Sequence, residues 1–157
     1  MLRLRLPPRI KVLEALGAIA DKRINIIDSY RAKVVSSDGS RIYTVIVDLA
    51  KGFVYSDDNG TKYRGYVGYP IIAFLMLQGV LPFDRKISEA LRGIQWRKLN
   101  EKYKKYIIVE AIVKDIAKNN GVDPHTIDLF VNSVMNHLRK MSLVYEEKLK
   151  ALYDQSN

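Results

Sequence analysis

Apolar and polar positions divide the chain into two regimes, with a period near two before residue 70 and a helical period after it. Met1 to Leu6 alternates apolar residues with arginine, a strand-like pattern that stops at Pro7-Pro8. From about Pro8 to Asp21, Ile10, Leu13, Leu16 and Ile19 recur on one face of a predicted helix. Ile24 to Val35 and Arg41 to Leu49 are rich in β-branched and aromatic residues, and Asp38-Gly39 between them predicts a hairpin. Lys51-Gly52 and Asp57-Asp58-Asn59-Gly60 predict turns that frame strands at Phe53–Tyr55 and Thr61–Tyr66.

Everything after Pro70 reads as helix. Pro70 suits a first helical turn and Gly79 the end of that helix. Asp84 is the expected N-cap of a helix over about 85–105 whose apolar side changes. Ile87, Ala90, Leu91 and Ile94 share one face, and Trp96, Leu99 and Tyr103 the other, so this helix either breaks near Gln95 or meets two neighbours. A helix from about Ile107 to Asn119 stops at Asn120-Gly121, and Asp123 with Pro124 starts the last one. In that helix Ile127, Val131, Val134, Leu138, Met141, Tyr145 and Leu152 form a coiled-coil-like seam, whose distal half could pair with a second subunit as a homodimer. The expected fold is α+β: an N-terminal helix and a meander of about four antiparallel strands over residues 1–81, then a helical half over 82–157.

Composition narrows the chemistry. At 157 residues and 48% apolar content the chain can bury a core without disulfides or metal. With no cysteine it has no disulfide framework, no Cys-based zinc site and no thiol nucleophile. The longest apolar run, Ile71 to Leu77, is too short to span a bilayer, and the expected location is cytoplasmic. Abundant Lys, Arg and Ile with few Gln match a thermophile's usage. The net charge of +9 is concentrated: residues 1–11 hold four basic groups and no acid, while residues 85–105 hold eight basic groups against Glu89 and Glu101. Such clustering is the footprint of a polyanion binder, or of a solvated helix face.

Two segments carry resemblances. Ser36-Ser37-Asp38-Gly39 precedes the strand Tyr43-Thr44-Val45, and Arg64-Gly65 precedes Gly68-Tyr69-Pro70 and an apolar helix. This order resembles the SWIM family, in which paired strands are followed by Cys-x-Cys and by Cys-x-His opening a helix. Here Gly68 and Pro70 stand where the second ligand pair belongs. The resemblance, over about Val12 to Gly79, implies binding of nucleic acid or protein partners without catalysis, while the missing ligands lead to the expectation of no metal or cofactor. Phe53, Tyr55, Tyr63, Tyr66, Tyr69 and Phe74 could replace the metal as an aromatic cluster, each contributing roughly 1.5–3 kcal/mol when buried. Alternatively, exposed tyrosines beside Lys62 and Arg64 could stack on bases.

Lys114 to Ile127 looks like the helix-turn-helix of bacterial repressors, with small Ala117 at the crossing, Gly121 in the turn and Val122, Ile127 and Phe130 inward. That motif would direct His125 and Asn132 at the major groove, although Asp123 and Asp128 would be repelled by phosphate. Two helices packed about a glycine turn would leave the same pattern.

Catalytic patterns are sparse. His125 and His137 do not have metal-ligand spacing, and Gly65-Tyr66-Val67-Gly68 lacks the Lys-Ser/Thr end of a phosphate loop. Asp48, Asp57 and Asp58 could hold a divalent ion for nuclease chemistry, but Asp57-Asp58-Asn59-Gly60 is also an ordinary turn. The sequence thus predicts a non-enzymatic nucleic-acid-binding protein, DNA foremost, with contacts from Arg3, Arg5, Arg92, Arg97, Lys98, Lys102, Lys104, Lys105, His125 and Asn132. The alternative is a metal-free protein–protein interaction module.

Overall fold

The computed structural model describes residues 2–154 and is α+β, with a helical C-terminal half. Met1, at the start of the predicted first strand, lies outside the described residues. The meander is β2 (Ile24–Ile26), β3 (Arg31–Val35), β4 (Ile42–Asp48) and β5 (Phe53–Ser56), all antiparallel. The predicted strand Ile24 to Val35 is split by a turn in which the Asp28 carboxylate accepts the N–H groups of Tyr30 and Arg31. Two short strands complete the sheet. β6 (Val144–Tyr145) lies parallel to β5, and β1 (Leu2–Arg3) lies antiparallel to β6, giving the order β1-β6-β5-β4-β3-β2.

Thr61–Tyr66 is not a strand. The Asp58 side chain accepts the Thr61 N–H and caps a short helix, α2 (Asn59–Lys62), and Tyr66 makes only a single bridge to Arg5. The other helices are α1 (Ile10–Ala20), α3 (Tyr69–Leu77), α4 (Arg85–Ala90), α5 (Trp96–Tyr103), α6 (Tyr106–Asn119), α7 (Pro124–Lys140) and α8 (Lys148–Asp154). None is long and apolar enough to cross a membrane. Asp84 and Asp123 cap α4 and α7 as predicted. The helix expected over 85–105 breaks into α4 and α5 at Gly93, whose φ of 80° is left-handed.

The seam predicted from Ile127 to Leu152 does not lie on one helix. α7 ends at Lys140, Met141 turns extended, and the chain enters the sheet as β6 before α8 begins. Leu149 is buried against Ile46 and Tyr55, while Leu152 faces solvent, so the expected pairing of a second subunit along an extended C-terminal helix has no continuous apolar stripe to use.

One core runs through both halves of the chain, joining α1, the sheet, α3, α4, α6 and α7. Val45, Val47 and Val54 face it, while Ile46 and Tyr55 point to the other face and are covered by α8. Burial on both faces explains why β4 reads as a near-continuous apolar run. The six aromatic residues expected to cluster are divided: Phe74 is in the main core, Tyr55 is under α8, and Tyr63 is 73% exposed. The helix α1 is buried nearly all round, and its two charged residues, Lys11 and Glu14, sit three apart on one side. That polar side opens into a cleft.

Candidate functional site

The cleft has a volume of ≈ 520 Å³ and lies between α1, the β3–β4 hairpin, the α2–α3 connection and α5. Its floor is built on α1. Glu14, only 3% exposed, accepts hydrogen bonds from Lys11 Nζ (3.0 Å) and from Asn100 Nδ2 (2.6 Å) on α5. One turn further along α1, Gly17 has no room for a side chain, since a Cβ there would stand 2.6 Å from Trp96 Nε1. The absence of that Cβ lets the Trp96 ring settle on α1, and Asn100, four residues later on α5, then reaches Glu14.

A second wall is the hairpin Ser36–Arg41. The Arg97 backbone N–H donates to Ser37 Oγ (3.1 Å), and its guanidinium bonds to Ser40 Oγ (2.9 Å) and pairs with Asp38 (3.2 Å) and Glu101 (3.2 Å). Hydrogen bonds from the Ser40 side chain and backbone and from Ser36 hold the Asp38 carboxyl well below its usual pKa. Arg97 therefore ties the hairpin to α5 across one side of the cleft. Tyr43 and Tyr69 meet edge to face deeper in, with centroids 6.4 Å apart.

The remaining wall is the α2 region. Asp58 accepts from Ser56 Oγ (2.6 Å) and from the Thr61 N–H (3.1 Å), and Thr61 Oγ1 accepts the Gly68 N–H (3.0 Å). Gly68 itself is pressed against the Asp58 carboxylate, leaving no space for a Cβ. Asp57 accepts the Thr44 N–H (2.8 Å). The Asp58 carboxylate thus serves the backbone of the turn, and the Asp57 carboxylate the backbone of β4. Among the described residues no group of three or more His, Cys, Asp or Glu side chains is placed to hold a metal ion.

Burial sets the electrostatics. It raises the pKa of Asp58 against the opposing hydrogen bonds from Ser56 and Thr61. Burial likewise pushes Tyr66 up to about 12 and raises Tyr69 further still. At Lys11 burial disfavours the ammonium, but Glu14, Tyr66 and Tyr106 outweigh it and the pKa is raised. An acid raised in the fold is stabilising in full below its unfolded value of 3.8 and loses that contribution as pH rises through the folded value. Asp58→Asn keeps a carbonyl acceptor for the Thr61 N–H and cannot ionise. The variant is expected to gain stability relative to the parent as pH rises above the unfolded value of 3.8, measured by urea denaturation. A parent advantage that grew with pH would contradict the assignment.

Three buried side-chain polar atoms in the cleft walls lack hydrogen-bond partners: Arg23 Nε, Trp96 Nε1 and Asn100 Oδ1.

Two further depressions share lining residues with the cleft or with each other. Arg64 and Tyr66 form a shared wall with a groove lined by Arg5, Leu6, Pro7 and Pro8. Arg5 and Leu6 are in turn shared with a hollow lined by Arg3, Arg139 and apolar residues of α7 and its C-terminal extension. Neither the groove nor the hollow has a carboxylate in its lining. Of the residues singled out from sequence, Arg97 and Lys104 line the cleft and Arg3 and Arg5 line this extension. Arg92 pairs with Glu89, and Lys98, Lys102 and Lys105 are exposed away from these linings. His125 is exposed, while Asn132 accepts from Arg9 (2.5 Å), which also pairs with Asp128 (3.0 Å). The helices and glycine turn of the Lys114–Ile127 segment form as expected, with Gly121 at φ 91°.

A family model described as Uncharacterised conserved protein UCP014422 matches residues 4–144. The chain belongs to that family. No curated protein and no solved structure matches it. The matched span takes in every cleft-lining residue, from Lys11 to Tyr106, as well as Arg5 and Arg139 of the extension, and leaves out α8.

Proposed function

We propose that this protein binds single-stranded nucleic acid along the track formed by the cleft and its two extensions. The observation that carries the reading is that the cleft, groove and hollow share lining residues, with arginines recurring from Arg97 and Arg41 through Arg64 and Arg5 to Arg3 and Arg139. Phosphates follow such a row of cations, and bases stack on neighbouring aromatic faces without regard to sequence. Aromatic surface is available: Tyr63, beside Arg64, is 73% exposed, and Tyr106 stands at the cleft with Lys11 Nζ 5.2 Å from its ring centroid.

Trp96 is the single tryptophan of the chain and lines the cleft, so its emission reports on this site alone. Titration with oligo-dT and oligo-U is expected to change Trp96 emission saturably with at least one of them. No change with either, together with no binding by anisotropy, would refute the proposal.

A further inference from the structure

The floor of the cleft carries a fixed order of hydrogen-bonding groups. Lys11 Nζ stands 3.0 Å from Glu14 Oε2, and Asn100 Nδ2 stands 2.6 Å from Glu14 Oε1. The carboxylate therefore lies between the ammonium and the amide, and all three side chains line the cleft. The two polar atoms of an amide are about 2.3 Å apart, so Asn100 Oδ1 lies within about 5 Å of Glu14 Oε1. That amide oxygen is buried and has no hydrogen-bond partner among the described residues. A carboxylate accepts about four hydrogen bonds and an ammonium donates several, so Glu14 and Lys11 keep capacity beyond the bond that joins them. From Lys11 through Glu14 to Asn100 the floor offers a donor, an acceptor and a second acceptor.

Among the common bases guanine has the complementary edge. It presents the O6 acceptor, the N1–H donor and the N2 amino donor side by side. Adenine and cytosine would set a ring-nitrogen acceptor against the Glu14 carboxylate, and thymine or uracil a carbonyl against Asn100 Oδ1. An acceptor facing a buried acceptor gives up its bond to water and gains none. The cleft also suits a planar ring. Its ≈ 520 Å³ falls in the range of small-ligand sites, and Tyr43, Tyr69 and Tyr106 line it.

We infer that the cleft takes one unstacked guanine of the bound strand, with O6 toward Lys11, N1–H toward Glu14 and the N2 amino group toward Asn100 Oδ1. This rests on the nucleic-acid reading above and adds to it that the protein selects one base.

Five strands of about ten nucleotides test it: oligo-dT, and oligo-dT with one central base replaced by guanine, hypoxanthine, adenine or cytosine. Hypoxanthine keeps O6 and N1–H and lacks the N2 amino group. Affinities are measured by anisotropy at one low salt concentration. The guanine strand is expected to bind roughly ten- to a hundredfold tighter than the thymine, adenine and cytosine strands, the discrimination of a good bidentate base contact. The hypoxanthine strand should fall between. Asn100→Ala should bring the guanine and hypoxanthine strands to equal affinity, and Lys11→Met/Glu14→Leu should abolish the preference for guanine. Equal affinity of all five strands, of the guanine and hypoxanthine strands in the parent, or a preference for another base, would overturn guanine selection and leave strand binding standing. A guanine preference that survived in Lys11→Met/Glu14→Leu would overturn it as well. Binding of none of the strands would overturn both readings.

Discussion

Glu14→Ala is expected to destabilise the protein by roughly 3–5 kcal/mol, the cost of leaving a buried partner charge unpaired. Glu14 is 3% exposed and, among the described residues, is the acid that hydrogen-bonds Lys11. Its other oxygen holds Asn100, so the substitution also strips a donor on α5 of its acceptor. The loss would be a large part of the 5–15 kcal/mol that typically separates folded from unfolded states. The pH dependence follows from the raised pKa of Lys11. Its contribution is fully present below the unfolded value of 10.5 and is lost as pH rises through the higher folded value. The deficit of Glu14→Ala should therefore be constant near neutrality and shrink only in strong alkali. Urea denaturation at pH 7 measures it. The double variant Lys11→Met/Glu14→Leu removes both charges and should recover most of the stability, because apolar replacement of a buried pair is commonly tolerated. A loss below about 1 kcal/mol in Glu14→Ala would show that the pair is solvated in the folded protein.

The pair was legible in the sequence only in part. Lys11 and Glu14 are the two charged residues of an otherwise apolar α1, and their three-residue spacing places them on one face. Their burial is not visible from α1 alone, because it depends on α5 folding back over Gly17. That fold-back depends in turn on Trp96 finding a glycine far away in sequence. Arg97 and Lys104 were accessible from charge density, but the same density also marked Arg92, Lys98, Lys102 and Lys105, which do not line the cleft. Only the third dimension separates the two sets. Tyr43 and Tyr69 were noted only as strand and aromatic-cluster residues, and Arg23 carried no local signal.

The fold shows the same division between local and distant causes. The capping of α4 by Asp84 and of α7 by Asp123, the left-handed glycine before α7 and the turn at Asp38-Gly39 are decided within a few residues, and the sequence reading located each. The element at Thr61–Tyr66 was misread, since its β-rich composition is overridden by the Asp58 cap on Thr61. The end of α7 was misread for a different reason. The apolar spacing continues past Met141, but Val144 and Tyr145 are taken into the sheet by pairing with Phe53, Val54 and the N-terminal strand. No helical period can anticipate a strand whose partners lie about ninety and one hundred and forty residues away.

The salt dependence of strand binding is the largest effect expected and the most direct test of the track. Six cations are placed to meet phosphate: Arg3, Arg5, Arg64 and Arg139 along the extension, and Arg41 and Lys104 in the cleft. For single strands the slope of log affinity against log salt is about −0.7 per phosphate contacted, so six contacts give roughly −4. Between about 50 mM and 200 mM salt the affinity should fall by roughly 300-fold. Arg5→Ala/Arg64→Ala/Arg139→Ala removes three contacts at exposed positions and should halve the slope to about −2 without unfolding the protein. The decisive measurement is equilibrium anisotropy of a labelled single strand over this salt range, with the triple variant beside the parent. The track predicts a steep parent slope that the variant halves. Absence of binding at low salt, or a slope that the triple variant leaves unchanged, would contradict it.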